Sequence, residues 1–193
     1  MKTKDTSTQI LAKKTRWWRN IHKSVSIVLL SFFLLTATTG ILLGWKKQTT
    51  LLPKTNNGIA PNQPNRWLSI ADLTTIAQTY VSDSLQKNSA VSRIDIRPEK
   101  GTVKFVFKNH FSEIQVDCAS GLILSVATRN SDFIEKIHDG SILDYWINED
   151  QSFFKLSYTS LLGLGLLTLS VSGFWMWINP KKIRRQKTRN RFI

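Results

Sequence analysis

The side chains in this sequence whose type and placement could do cofactor chemistry are its three histidines, His22, His110 and His138. A neutral imidazole is a common haem ligand. His22 and His138 each stand near the edge of a long apolar run, whereas His110 lies in a polar stretch that reads as a solvated hairpin turn. Trp17, Trp18 and Ile21 surround the first in sequence, and Ile134, Tyr145 and Trp146 the second. A planar apolar macrocycle needs such walls as well as an axial nitrogen, so haem b is the cofactor these residues could hold. About 30 Å of hydrocarbon would separate His22 from His138, so the two cannot share one iron. A symmetric homodimer could pair each with its mate. Met176, at the same end as His22, is an alternative partner for it. The plainer reading is also open: His22 as an interfacial polar residue and His138 as a helix C-cap. There is no phosphate-binding glycine loop, no Cys-x-x-Cys and no His-Glu-x-x-His, and hence no catalytic or metal motif to assign. No nicotinamide or flavin signature is present either, so electrons for any redox role must come from elsewhere.

The elements that must position these residues are two uncharged runs, 24–44 and 156–178, of 21 and 23 residues. At 1.5 Å per residue each helix would cross a bilayer core of about 30 Å. The net charge of +14 is concentrated outside them. Residues 1–23 hold seven Lys or Arg against Asp5, and residues 179–193 hold seven with no acid. The 45–155 stretch holds thirteen bases and twelve acids. Basic outer ends and a neutral middle place both termini in the cytoplasm and the middle segment outside. The same placement argues against nucleic-acid binding and for anionic lipid head groups at both tails. A cleavable signal peptide would have a shorter apolar core than 24–44, so this run reads as an uncleaved anchor. Neither run contains an ionisable residue, which argues against a transporter relay. Thr36, Gly40 and Gly44 in the first run, and Thr159 and Gly163 in the second, are small residues at four-residue spacing, with Gly165, Ser172 and Gly173 as further small positions. Such stripes pair either the two spans of one chain or two chains.

The middle segment is long enough for one small domain. Pro53, Asn56, Asn57, Gly58, Pro61 and Pro64 make 45–68 a linker. Ser69 and Asp72 form a capping-box-like start for a helix to about Ser84, with Ile70, Leu73, Ile76, Ala77, Tyr80 and Val81 at helical spacing. Period two then takes over, from Ile94 through Val103, Phe105 and Phe107 to Ile114 and Val116, and on to Thr128. Turns fall at Pro98–Gly101 and Asp117–Gly121. The expectation is a helix packed on an antiparallel meander over 69–130, an α+β unit with Lys104 on the opposite, solvent-facing side. Cys118 reads as either a buried apolar residue or a free thiol. Ser131 is expected to cap a short helix, and the aromatic-rich remainder of 131–155 to lie on the outer membrane surface.

These residues resemble the PepSY-associated transmembrane family in six places. Arg16-Trp17-Trp18-Arg19-Asn20-Ile21-His22 is similar to the family's entry to its first span, and Thr38-Thr39-Gly40-Ile41 to its exit. Ile94-Asp95-Ile96-Arg97-Pro98 with Gly101-Thr102-Val103 resembles the PepSY strand pair, and Gln115-Val116-Asp117 with Ser120-Gly121 its turn. Ile137-His138-Asp139-Gly140 resembles a Leu-His-x-Gly signature, and Ser172-Gly173-Phe174-Trp175-Met176-Trp177 the terminal span. The resemblance implies a bacterial inner-membrane protein with two transmembrane helices and a periplasmic PepSY-like domain. Larger four-span relatives, which it implies by analogy, are haem-containing reductases serving siderophore iron uptake. PepSY modules elsewhere imply inhibition or regulation of a partner protein.

Overall fold

The computed structural model describes residues 3–147 and 152–191. The order is α1 (Thr3–Gly44), α2 (Ile70–Leu85), β1 (Val91–Arg97), β2 (Thr102–Phe107), β3 (Ser112–Asp117), β4 (Ile123–Thr128), α3 (Asn130–His138), α4 (Ile142–Ile147) and α5 (Phe153–Arg191). Two compact units form. One comprises residues 1–38 with 149–193, the other 39–148.

The first unit is an antiparallel helical hairpin. Within α1 and α5, Gln9–Gly44 and Phe153–Arg185 are long and apolar enough to cross a membrane. Both helices run past the uncharged runs, so the basic tails continue as helix through Thr3 and Arg191. The seam repeats every seven residues. Thr36 Oγ1 meets Tyr158 Oη at 2.9 Å, and His22 Nδ1 meets Ser172 Oγ at 2.8 Å. Midway between them Leu29 packs into the space left by Gly165, where any side chain would collide with it. Seven forward on α1 matches seven back on α5 at each step, the register of an antiparallel coiled-coil pair. Thr15 and Asn179, one heptad further on, are also buried. The small residues of the seam are thus Thr36, Gly165 and Ser172. Gly44 and Gly163 have nothing within 4 Å of an added Cβ.

In the second unit the four strands are antiparallel in the order β1-β2-β3-β4, a meander. Ser69 caps α2, accepting from the Asp72 N–H at 3.1 Å. Leu73, Ala77 and Val81 of α2 pack on Val103, Phe105, Phe107, Ile114 and Val116, with Cys118 buried in the same core. Burial, with the Asp117 charge beside it, pushes the Cys118 thiol up to about 11, which keeps it protonated and inert.

The other face of the sheet differs from the expectation. Lys104 is only 4% exposed and pairs with Glu113 at 3.1 Å. Glu113 is fully buried and also accepts from Gln115 Nε2 at 2.8 Å and from Arg129. Arg129 turns its Nε to Asp132 at 2.7 Å. Burial alone would lower its pKa, but the hydrogen bonds and charges of Asp132 and Glu113 outweigh that and raise it.

What covers this face is the segment that reads as a linker. Asn56 N–H donates to Gln115 Oε1 at 2.9 Å, and Gln115 Nε2 donates back to the Lys54 carbonyl at 2.8 Å. Thr102 Oγ1 donates to the Asn56 carbonyl, and Lys100 Nζ to that of Thr55. The Ile59 N–H reaches Asp117 Oδ1 at 2.8 Å. Gly58 is required here, since a Cβ would run into the Asp117 carboxylate and the Gly101 carbonyl. The irregular chain satisfies its backbone on side chains of the sheet, and so forms a strap.

A second difference concerns α3. Ser131 lies inside the helix rather than capping it. Its N–H donates to the Leu51 carbonyl at 2.9 Å and its hydroxyl to Asp132. Arg129 occupies the N-cap with no side-chain capping bond. Residues 148–151 of the expected surface segment lie outside the described residues.

Candidate functional site

The three histidines divide by how their ring nitrogens are used. His110 uses both. Its Nε2 meets the Asn88 carbonyl at 2.8 Å, and the Ser112 N–H donates to its Nδ1 at 3.3 Å. Its ring stacks on Phe107 with centroids 5.5 Å apart. A carbonyl only accepts and an N–H only donates, so His110 carries its proton on Nε2 and has no lone pair left for iron. It is a structural residue at the end of the β2–β3 turn, not a solvated one.

His22 and His138 use only Nδ1 among the described residues. His22 lies on the seam of the hairpin. The Ser172 hydroxyl beside it donates its single proton to the Thr168 carbonyl at 2.7 Å. The contact fixes the ring through its Nδ1, and Nε2 makes no hydrogen bond among the described residues. Trp18 stacks on Trp175 with centroids 6.4 Å apart one turn away. Met176 follows Ser172 by one turn of α5 and is half-buried, so both face the seam. Asn179, nearly two turns beyond Ser172, is 1% exposed, and its Oδ1 has no hydrogen-bond partner among the described residues.

His138 is the last residue of α3. Its Nδ1 meets Thr39 Oγ1 at 2.9 Å, and its Cε1 lies 3.4 Å from where a Gly40 Cβ would stand. Gly40 thus lies against His138 within its own chain. The C-cap position at the end of α3 belongs to Asp139, not to His138.

Each of these two rings has a hydroxyl on Nδ1 and a glycine against its edge, Gly173 for His22 and Gly40 for His138, and neither makes a hydrogen bond through Nε2 among the described residues. Haem ligation uses an imidazole held in this way, with the ring fixed through one nitrogen while the other faces the ligand. Among the described residues no group of three or more His, Cys, Asp or Glu converges as a metal site.

The order of elements, two apolar helices around a small meander domain, now stands beside a direct comparison. The model of the PepSY-associated TM region matches residues 2–179. The chain belongs to the PepSY-associated transmembrane family. No curated protein and no solved structure matches it. Membership agrees with a membrane protein of two spans and an α+β domain between them.

The sequence pointed to His22, His138 and Met176 as ligands, but gave Ser172 only as a small position and Thr39 only as part of the exit motif of the first run. The signal was present in the heptad step. Ser172 and Tyr158 are fourteen residues apart, as are His22 and Thr36, and an antiparallel pair must bring such positions to matching levels.

Proposed function

We propose that this family member is a haem-binding, redox-associated accessory of iron acquisition, with siderophore iron as the cargo and the bacterial inner membrane as its site. Both termini are cytoplasmic and the PepSY domain periplasmic in this reading, which rests on the basic ends of the chain. The observation that carries the haem assignment is the shared state of His22 and His138: Nδ1 engaged by a hydroxyl and Nε2 open. Bound haem b would supply one-electron chemistry. The protein's own residues orient the imidazoles, through Ser172 and Thr39. One chain offers a single histidine at each boundary of the uncharged run 24–44, His22 within α1 and His138 at the end of α3 against Thr39, so two copies supply the paired ligands, with Met176 as the alternative to a second His22. The basic helix ends hold anionic lipid head groups.

Detergent-purified protein expressed with ample haem should show a b-type Soret band. His22→Ala and His138→Ala should each remove part of it, and His110→Ala none. Colourless protein would overturn the assignment.

A second reading has its own support. An open groove of about 390 Å³ runs between α2 and the start of β4, lined by Thr75, Ile76, Thr79, Tyr80, Asp83 and Ile123. A non-enzymatic module that binds or regulates an extracytoplasmic partner protein would use such a groove, and colourless protein would favour it.

A further inference from the structure

The short helix α4 has its amphipathic sense reversed. Asp144 is 5% exposed and faces inward. Tyr145 is tucked against Phe111, with centroids 5.2 Å apart, and under Lys136 Nζ at 4.8 Å. Leu143, Trp146 and Ile147 point outward at 42%, 69% and 60% exposure. Positions 143, 146 and 147 share one helical face. A soluble domain gains nothing by turning a tryptophan and two aliphatic residues to water while burying an aspartate.

The depth of this face is fixed within its own unit. His138 ends α3 against Thr39 and Gly40. Thr39 and Gly40 lie inside the apolar stretch Gln9–Gly44. Gly40 is about 7 Å of helix short of Trp45, the aromatic residue that closes the stretch. The end of α3 is therefore held at the membrane boundary. Only Asp139, Gly140 and Ser141 separate it from α4. Asp139 Oδ1 takes both the Ser141 N–H and its hydroxyl, at 3.0 and 2.6 Å, and makes that connection a tight turn.

We infer that Leu143, Trp146 and Ile147 insert into the lipid head-group and acyl boundary of the leaflet at the Gly44 end of α1. The occupant of this face is lipid, because the anchor beside it is itself a membrane helix and the exposed residues are those that favour the interface. The helix acts as a foot that ties the meander domain to the leaflet independently of any haem.

A nitroxide attached at Trp146→Cys in full-length protein in phosphatidylcholine–phosphatidylglycerol nanodiscs tests this, since native Cys118 is buried and does not compete for label. Collisions with oxygen should exceed those with a water-soluble nickel chelate. A label at Leu122→Cys, 62% exposed beside the β3–β4 turn, should show the reverse. Leu143→Cys repeats the lipid-facing measurement at a second position. Should these variants not fold, tryptophan quenching by brominated lipid, compared between native protein and Trp146→Phe, gives the same answer, with a loss of quenching expected in the variant. Equal nickel access at positions 146 and 122 would overturn the inference. So would a label at 146 shielded from both reagents, which would mean that protein covers the face, or quenching unchanged in Trp146→Phe.

Discussion

The two faces of the central strands β2 and β3 are both buried, by opposite means. Ile114 and Glu113 are neighbours on β3, and both have no exposed surface. Ile114 packs on α2 through apolar contact, which falls off gradually as shape changes. Glu113 sits under the strap among Lys104, Gln115 and Arg129, where each charge is matched by a named partner. An apolar face needs volume, whereas a buried polar face needs a complete set of partners. The two faces should therefore tolerate different substitutions.

The largest effects come from placing a new carboxylate on either face. Phe105→Asp buries an unpaired charge against α2, and Lys104→Asp sets a carboxylate against Glu113. Each should cost several kcal/mol and expose the domain to limited proteolysis to a similar extent. If Lys104 were on a solvated face, Lys104→Asp would be silent, and a silent result would break the comparison.

Conservative swaps sharpen it. Ile114→Leu should cost less than about 1.5 kcal/mol, because volume is kept. Glu113→Gln keeps the shape too, but leaves the buried Lys104 without its anion and Arg129 with Asp132 alone, and should cost about 3–5 kcal/mol. Urea unfolding of the full-length protein, read by amide exchange in β2 and β3, would measure both. Equal costs at the two sites would show that the polar set contributes no more than its packing.

The strap itself is tested at Gly58. Gly58→Ala drives a methyl group into the Asp117 carboxylate and the Gly101 carbonyl, and should cost about 1–3 kcal/mol. The same change at Gly163, where nothing lies within 4 Å, should be neutral or slightly stabilising to the helix. A shift in the proteolytic cleavage pattern towards residues 51–62 in Gly58→Ala would identify the strap as the part that lifts.

Much of this fold was legible in the sequence. The two apolar runs, the Ser69 cap, the glycine turns at Gly101 and Gly121 and the period-two pattern of Val103, Phe105 and Phe107 each depend on neighbours a few residues away. Both glycines have positive φ, as their turns require. The inward set of Lys104, Glu113 and Gln115 was not legible, because alternation alone gives polar residues to solvent. Only the strap, about fifty residues earlier in the chain, makes that side an interior. The linker-like composition of the strap hid it: prolines and asparagines forbid regular structure but not ordered contact. At the candidate site, the histidines were visible by type, while Ser172 and Thr39 needed the pairing register of the helices. Gly163, read as one of a contact stripe, lies off the seam because the repeat is seven residues rather than four.

The smallest expected effect is the acid response of the strap. Burial pushes the Asp117 carboxyl up, but the Ser120 hydroxyl and the backbone N–H groups of Ile59, Ser120 and Ala119 outweigh it and hold the group below the usual carboxylate range. A folded-state pKa that is depressed means that stability from Asp117 is present above the unfolded carboxylate value, near pH 4, and is lost as the pH falls through the folded value. The protein should therefore lose stability progressively below about pH 4, as protonation weakens the Ile59 and Ser120 contacts together. Asp117→Asn mimics the protonated form, so it should be less stable than the parent at neutral pH. It should also show a flatter loss between about pH 4 and 2, since its own contribution no longer titrates. The apolar face, with no titrating group among Leu73, Ala77, Val81, Phe105 and Ile114, supplies no such slope. Parallel acid curves for the parent and Asp117→Asn would show that Asp117 does not carry the acid response of the strap.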